Sequence, residues 1–150
     1  VKLGIALNDI GANQLAFYIL RQLYDKSLDC DVIAFYNILH KPCILLNIAT
    51  MHISEMWNYD GIVIATNYNC ATKLLKAPGP SKKYFYIWNL EWRVKSEDYI
   101  SMSQVYCNPN LELISRSKEH QWIIKNCWNR DSKICDNVNL NKLLEIIDGY

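Results

Sequence analysis

Asp60-Gly61-Ile62-Val63-Ile64-Ala65-Thr66 sets how the rest of the chain is read. From Gly61 onward the run is uncharged, rich in β-branched residues and uninterrupted, so neither side of it alternates toward water. A strand of that kind belongs inside a sheet covered on both faces. Outward from it, similar short apolar runs recur at residues 3–7, 30–36, 44–48 and 83–88, with a shorter one at 111–114. Between them the spacing of apolar residues changes from two to three or four, the mark of helices. Leu15, Ile19, Leu20 and Leu23 predict a helix over 12–23, and further helices are expected at 49–58, 69–76, 97–105 and 117–128. In 117–128, Ile123, Ile124, Cys127 and Trp128 are expected to share a face. The last helix, 139–147, carries Leu140, Leu143, Leu144 and Ile147 at i, i+3, i+4 and i+7 behind Asn139, a capping residue. Strands alternating with helices in this way predict an α/β fold: a single Rossmann-like three-layer sandwich with a mostly parallel sheet over residues 1–150.

Composition bounds the function. A chain of 150 residues that is 51% hydrophobic can bury a sizeable core. Its formal net charge of +1 provides no basic field for nucleic acid. No stretch approaches the roughly 20 apolar residues that span a bilayer, and the opening Val1 to Leu7 is too short for the apolar segment of a signal peptide. Cys30, Cys43, Cys70, Cys107, Cys127 and Cys135 form no Cys-x-x-Cys pair and have no histidine at zinc spacing. They are expected to be reduced, mostly buried thiols, which suits a cytoplasmic protein. His40 and His52 belong to no ligand pattern. Neither a metal site nor a cofactor is expected.

In a parallel sheet, ligands sit beyond the carboxyl ends of the strands, near the point where strand order reverses. The residues expected there are Asn8, Asp9 and Gly11 after the first strand, and Thr66, Asn67, Tyr68 and Asn69 after the fourth. Trp88 to Trp92 follow the fifth and Ser115, Arg116 and Ser117 the last. Thr66, Asn67, Ser115 and Ser117 are equally what helix N-termini require as caps. The first loop has only Gly11, and the second strand ends in Phe35-Tyr36-Asn37, so the glycine pattern and ribose-binding acid of a dinucleotide site are missing. A phosphate-cradling P-loop and a hydrolase nucleophile elbow are missing too. Trp88-Asn89-Leu90-Glu91-Trp92 is the most unusual piece. Two indoles beside a carboxylate suit a sugar ring and its hydroxyls, and they suit equally a buried tryptophan pair with a rim salt bridge. His120, four residues beyond Arg116, can face the same edge.

These pieces together suggest a family. The opening strand with its Asn8 to Gly11 loop, the strand at 60–66, the Tyr86 to Trp92 segment, the stretch from Leu113 to Arg130 and the final Asn139 to Ile147 segment resemble the amino-terminal half of a GT-B glycosyltransferase. The likeness is greatest to glycosyltransferase-like proteins of large tailed phages, and the Asn- and Ile-rich usage fits an AT-rich genome. The resemblance implies a domain that holds the acceptor while a second Rossmann-like domain holds most of the nucleotide-sugar donor. It implies that Gly11 faces the interdomain cleft with Asn8 and Asn67 nearby. Trp88, Glu91 and Trp92 would line the acceptor side, and Arg116 and His120 would stand at the start of the cleft-facing helix. Glu91 and His120 would be the catalytic candidates, the others substrate-binding. No second domain and no donor-binding carboxylate motif follows within the 150 residues. The implied protein is therefore a fragment, one subunit of a split enzyme, or a minimal enzyme completed by oligomerisation. The other expectation is a non-enzymatic interaction module whose aromatic edge meets a protein partner. On the glycosyltransferase reading, Trp92→Ala and Glu91→Gln weaken glycan binding without unfolding the domain.

Overall fold

The structure, a computed structural model, describes residues 2–7, 14–25, 31–37 and 48–148. Its strands are β1 (Lys2–Ala6), β2 (Asp31–Tyr36), β3 (Ala49–His52), β4 (Ile62–Ala65), β5 (Lys82–Ile87), β6 (Glu112–Ser115) and β7 (Ser132–Ile134). Its helices are α1 (Gln14–Asp25), α2 (Tyr68–Lys76), α3 (Tyr99–Tyr106), α4 (Lys118–Trp128) and α5 (Leu140–Asp148). The strands form one sheet in the order β3-β2-β1-β4-β5-β6-β7, and every neighbouring pair is parallel. Strand order reverses between β1 and β4. This is the α/β Rossmann-like three-layer sandwich that the strand pattern predicts.

Alternation along the central strands divides the core in two, because successive side chains point to opposite faces of the sheet. Leu3, Ile5, Ile64, Tyr84, Tyr86 and Ile114 pack with Leu15 and Ile19 of α1 and Leu140, Leu143 and Ile147 of α5. On the other face Ala6, Val63, Ala65, Phe85, Ile87 and Leu113 pack beneath α2, α3 and α4. Both faces being covered explains why residues 61–66 show no polar alternation. Across the first face Gln22 ties α1 to α5: its amide nitrogen donates to the Val138 carbonyl and its oxygen accepts from Leu140 N–H at 3.0 Å. Asn139 caps α5 as its position suggests, accepting from Lys142 N–H at 3.1 Å.

Several expected elements change in the structure. The helix expected over 49–58 begins instead as an edge strand, with Ala49 to His52 in register with Ile33 to Tyr36, and continues as a 3-10 turn at Ile53–Asn58. The open hydrogen-bonding edge of β2 outcompetes a helical turn here, because the residues involved have no strong preference of their own. The strand expected at 44–48 lies, except for Ile48, outside the described residues. β7 has only three residues, too few to show any periodicity. On α4 the buried positions are His120, Ile124 and Trp128, spaced by four, while Cys127 is exposed. Of the four described thiols, Cys70 and Cys135 are buried as expected, while Cys107 and Cys127 are exposed. Cys107 caps the end of α3 and Cys127 lies on the outer face of α4, positions a packed core does not reach. Cys30, Cys43 and His40 lie outside the described residues.

The Pro78-Gly79-Pro80 turn passes close against the preceding chain. Gly79 N–H donates to the Trp57 carbonyl at 3.1 Å, and a Cβ at Gly79 would stand 2.6 Å from that oxygen and 2.7 Å from the Tyr59 carbonyl. Only glycine allows this approach. Among the described residues no helix is long and apolar enough to cross a membrane.

Candidate functional site

Beyond the carboxyl ends of β5 and β6 the chain encloses a cleft of about 490 Å³, lined by Asn89, Leu90, Glu91, Arg93, Val94, Lys95, Arg116 and His120. Its position follows from two strand-to-helix turns. After β5 the chain crosses the end of the sheet, and the 3-10 turn at Glu91–Arg93 lets Trp92 re-enter the core while Arg93 faces outward. After β6, Arg116 leads into α4, where the Ser117 hydroxyl caps the helix by accepting from His120 N–H at 3.1 Å. A second hollow of about 510 Å³ at the amino ends of the strands is lined by Lys2, Asp31 and Asp60 among others, and there Lys2 is already ion-paired to Asp60 at 3.0 Å. Ligand sites in parallel sheets lie at the opposite end, so the β5–β6 cleft is the candidate.

The two tryptophans of the 88–92 segment part company. Trp88 continues the face of Tyr84 and Tyr86 and lies half-buried against Tyr86 and Tyr18. The Arg116 guanidinium stands over the Trp88 ring, 5.0 Å from its centroid. Trp92 goes to the other face and is 5% exposed. Its ring meets Tyr106 edge-on at 4.7 Å and Trp128 edge-on at 5.4 Å, while Tyr106 and Trp128 stack at 5.3 Å. Protein therefore surrounds the Trp92 indole, which has no face left for a sugar ring. The sheet passes between the two tryptophans, so they do not form a pair around Glu91.

Glu91 has a structural task. Its Oε1 accepts from Tyr68 N–H at 2.9 Å, satisfying one of the open donors at the start of α2, where helix and carboxylate charges attract. Asn67 serves the same helix end by accepting from Cys70 N–H at 2.9 Å. Thr66 Oγ1 donates to the Ala6 carbonyl at 2.8 Å, joining the ends of β1 and β4. Ser115 Oγ donates to the Lys133 carbonyl at 3.3 Å. These four polar residues thus hold strand ends and helix starts in place. Glu91 alone of them also lines the cleft, and its Oε2 has no hydrogen-bond partner among the described residues.

Burial raises the Glu91 carboxyl above its ordinary value of 4.5, against the lowering effects of the Tyr68 N–H and Lys95. The sign of its linkage follows. A carboxyl raised in the folded state binds its proton more readily there than in the unfolded chain, so ionised Glu91 costs stability above the folded pKa, and the cost vanishes as pH falls below 4.5. Glu91→Gln keeps an acceptor for Tyr68 N–H and removes the buried charge. It is expected to match or exceed the parent protein in thermal stability at pH 7, with any gain shrinking toward pH 4, as read by melting curves across that range. Destabilisation at pH 7 that disappears in acid would mean that the ionised carboxylate stabilises the start of α2.

His120 is 8% exposed, and its Nδ1 is buried without a hydrogen-bond partner. Burial, Arg116 and Arg93 all lower its pKa, outweighing Glu119, so the ring is neutral at pH 7. Arg93, which the residue pattern sets next to the Glu91 cluster, and Lys95, which it does not single out, complete the cleft with Arg116. None of the three has an ion-pair partner among the described residues. Their signal in the sequence is only an alternation of charge after Trp92, indistinguishable from a solvated loop. The structure thus brings Glu91, Arg116 and His120 together and sets Trp88 beside them, while Trp92 and Asn67 serve packing and capping. Asn8, Asp9 and Gly11 lie outside the described residues. Among the described residues no group of three or more His, Cys, Asp or Glu side chains is placed to hold a metal ion. No protein-family model, no curated protein and no solved structure matches the chain at significant similarity, so fold and cleft geometry alone guide the functional reading.

Proposed function

We propose that this protein is an acceptor-binding domain of the GT-B glycosyltransferase type, which takes a glycan or related hydroxyl-bearing acceptor in the β5–β6 cleft and is incomplete as an enzyme by itself. One observation carries the reading: a cleft stands at the carboxyl ends of parallel strands, and two titratable groups, Glu91 and His120, reach it. Asn89 and the second oxygen of Glu91 supply hydrogen-bonding groups for hydroxyls. The half-buried Trp88 stands behind Arg116, whose guanidinium lies over its ring, and so reports on what binds at that wall of the cleft. With a nucleotide sugar supplied by a second domain or subunit, the acceptor hydroxyl would lose its proton to Glu91 as its oxygen bonds to the sugar carbon and the nucleoside diphosphate leaves. Burial raises the Glu91 carboxyl, which makes it a stronger base than an exposed glutamate, and lowers His120, which keeps that ring uncharged beside the arginines.

A panel of glycans and nucleotide sugars, followed by tryptophan fluorescence and thermal shift, tests this. A ligand at 100 times its Kd adds about 2.7 kcal/mol, a rise of roughly 5–10 °C at the 2–4 °C per kcal/mol typical of this size. Arg116→Ala is expected to abolish the fluorescence response, since it removes both a cleft wall and the cation over Trp88, and to leave the unliganded melting temperature nearly unchanged. Silence across the panel would favour the second reading, a protein-interaction module. That reading has its own support in the exposed Val94, Ile100 and Trp122, which are 82%, 78% and 67% accessible.

A further inference from the structure

The cleft is cationic, although the protein as a whole is almost neutral. Arg93, Lys95 and Arg116 line it against the single carboxylate of Glu91, and that carboxylate already has one oxygen engaged by the start of α2. An unpaired cation on an open surface is ordinary, but three around one concavity raise the local concentration of anions. Arg116 is also positioned, because its guanidinium rests over the Trp88 ring and a stacked guanidinium loses less freedom on binding than a mobile one.

His120 supplies the independent observation. It is more than nine-tenths buried, it lines the cleft, and its Nδ1 is enclosed without a partner. Enclosing an N–H with no acceptor wastes a donor that water would have satisfied. The neutral ring therefore carries its proton on Nε2, and that nitrogen becomes a hydrogen-bond donor toward the cleft. Arg93 and Arg116 line the same cleft as this imidazole and come from different loops, and both add to the lowering of its pKa that burial begins.

We infer that the β5–β6 cleft binds a phosphate monoester or diphosphate group, held by Arg93 and Arg116 with Lys95 nearby and the His120 Nε2–H as a neutral donor. This rests on the reading of the cleft as an acceptor site, and it narrows the acceptor to a phosphorylated one. Two guanidinium groups suit phosphate oxygens because each presents paired N–H donors in one plane. A neutral imidazole adds a directed donor without further charge, and the second oxygen of Glu91 remains available to a hydroxyl.

Titration of 15N-labelled protein with glucose, glucose 1-phosphate and inorganic pyrophosphate at matched ionic strength tests the inference. Glucose 1-phosphate and pyrophosphate are expected to shift the amides of residues 89–95 and 116–120, with glucose far weaker. Arg93→Gln and Arg116→Gln are each expected to weaken pyrophosphate binding by about tenfold or more, as loss of a charge-assisted hydrogen bond does. Long-range proton–nitrogen spectra of the free protein should show His120 as the Nε2–H tautomer, and the shift mapping reads the site even where a variant folds poorly. Equal binding of glucose and glucose 1-phosphate, unaffected by either arginine variant, would overturn the phosphate inference and leave the glycan reading standing. Pyrophosphate binding with no response to glucose or added affinity from the sugar of glucose 1-phosphate would uphold the anion site and remove the glycan reading. No response of these amides to either phosphate compound, or an Nδ1–H tautomer at His120, would overturn the inference.

Discussion

Trp92→Ala is expected to destabilise the protein by about 3–5 kcal/mol, the usual loss when a large buried aromatic is truncated. At roughly 2–4 °C per kcal/mol this lowers the melting temperature by about 6–20 °C. Trp92 is the hub of its aromatic cluster: its ring meets both Tyr106 and Trp128, which stack on each other, and Tyr99 stacks on the outer side of Trp128 at 4.9 Å. Removing the indole leaves a void lined by two rings, Tyr106 of α3 and Trp128 of α4, and neither helix can move inward without leaving its strands. Trp88→Ala is the matched control. Trp88 is only half-buried and its neighbours are Tyr18, Tyr86 and a guanidinium, so its loss is smaller and falls on the cleft. Thermal or urea melts of the two variants decide between the assignments. A Trp92→Ala protein that melts within about 1 kcal/mol of the parent would show that the cluster tolerates the void, and the expected ligand-binding role of Trp92 would return. The large destabilisation expected from the structure reverses the outcome expected from the residue pattern, in which Trp92→Ala weakens glycan binding without unfolding.

The second large effect belongs to a residue far from the cleft. Arg130 reaches back across the connection between α3 and β6 and donates to the carbonyls of Tyr106 at 3.4 Å, Asn108, and Leu111 at 2.6 Å. These carbonyls end α3 and start the approach to β6, where helix and strand can no longer satisfy them. A guanidinium serves all three because its donors fan out in one plane. Arg130→Ala is expected to cost about 2–4 kcal/mol, since hydrogen bonds from a charged donor contribute about 1.5–3 kcal/mol each and water can replace part of them. Arg130→Lys should recover less than half of the loss, because an ammonium offers the charge without the fork. Amide hydrogen exchange around residues 107–111 should accelerate in both variants before global unfolding does. Unchanged exchange and a melting temperature near that of the parent would mean that the turn is held by its own backbone bonds, such as Leu111 N–H to the Asn108 carbonyl at 3.3 Å.

Much of the architecture was legible because the information is local. The unbroken apolar run at 61–66 can exist only between two covering layers. Period-four spacing in the α1 and α5 segments, with Asn139 as cap, specified helices before any tertiary contact was known. The same information set the ends of the strands, and so placed Glu91, Arg116 and His120 on one side of the molecule. Where local preference is weak, the pattern misled. Ala49 to His52 joins the sheet because β2 offers an open edge, and Ser132 to Ile134 forms a strand because β6 does.

What the sequence alone determined, then, is the parallel sheet, its two covering layers and which residues stand at the carboxyl ends of its strands, all of which follow from hydrophobic period and chain order. Only the tertiary structure decided which face each side chain takes at the end of β5. Trp88 and Trp92 are both tryptophans four residues apart, yet the 3-10 turn sends one to each side of the sheet. Likewise Glu91 reads as a lone acid until the start of α2 is found against it, and Arg93 reads as a solvated loop residue until Arg116 and His120 arrive from β6. The physical reason is the same in each case: the free energy of a side chain at a strand end depends on which backbone donors, rings and charges other segments bring within a few ångströms, and that proximity is written in no single stretch of chain.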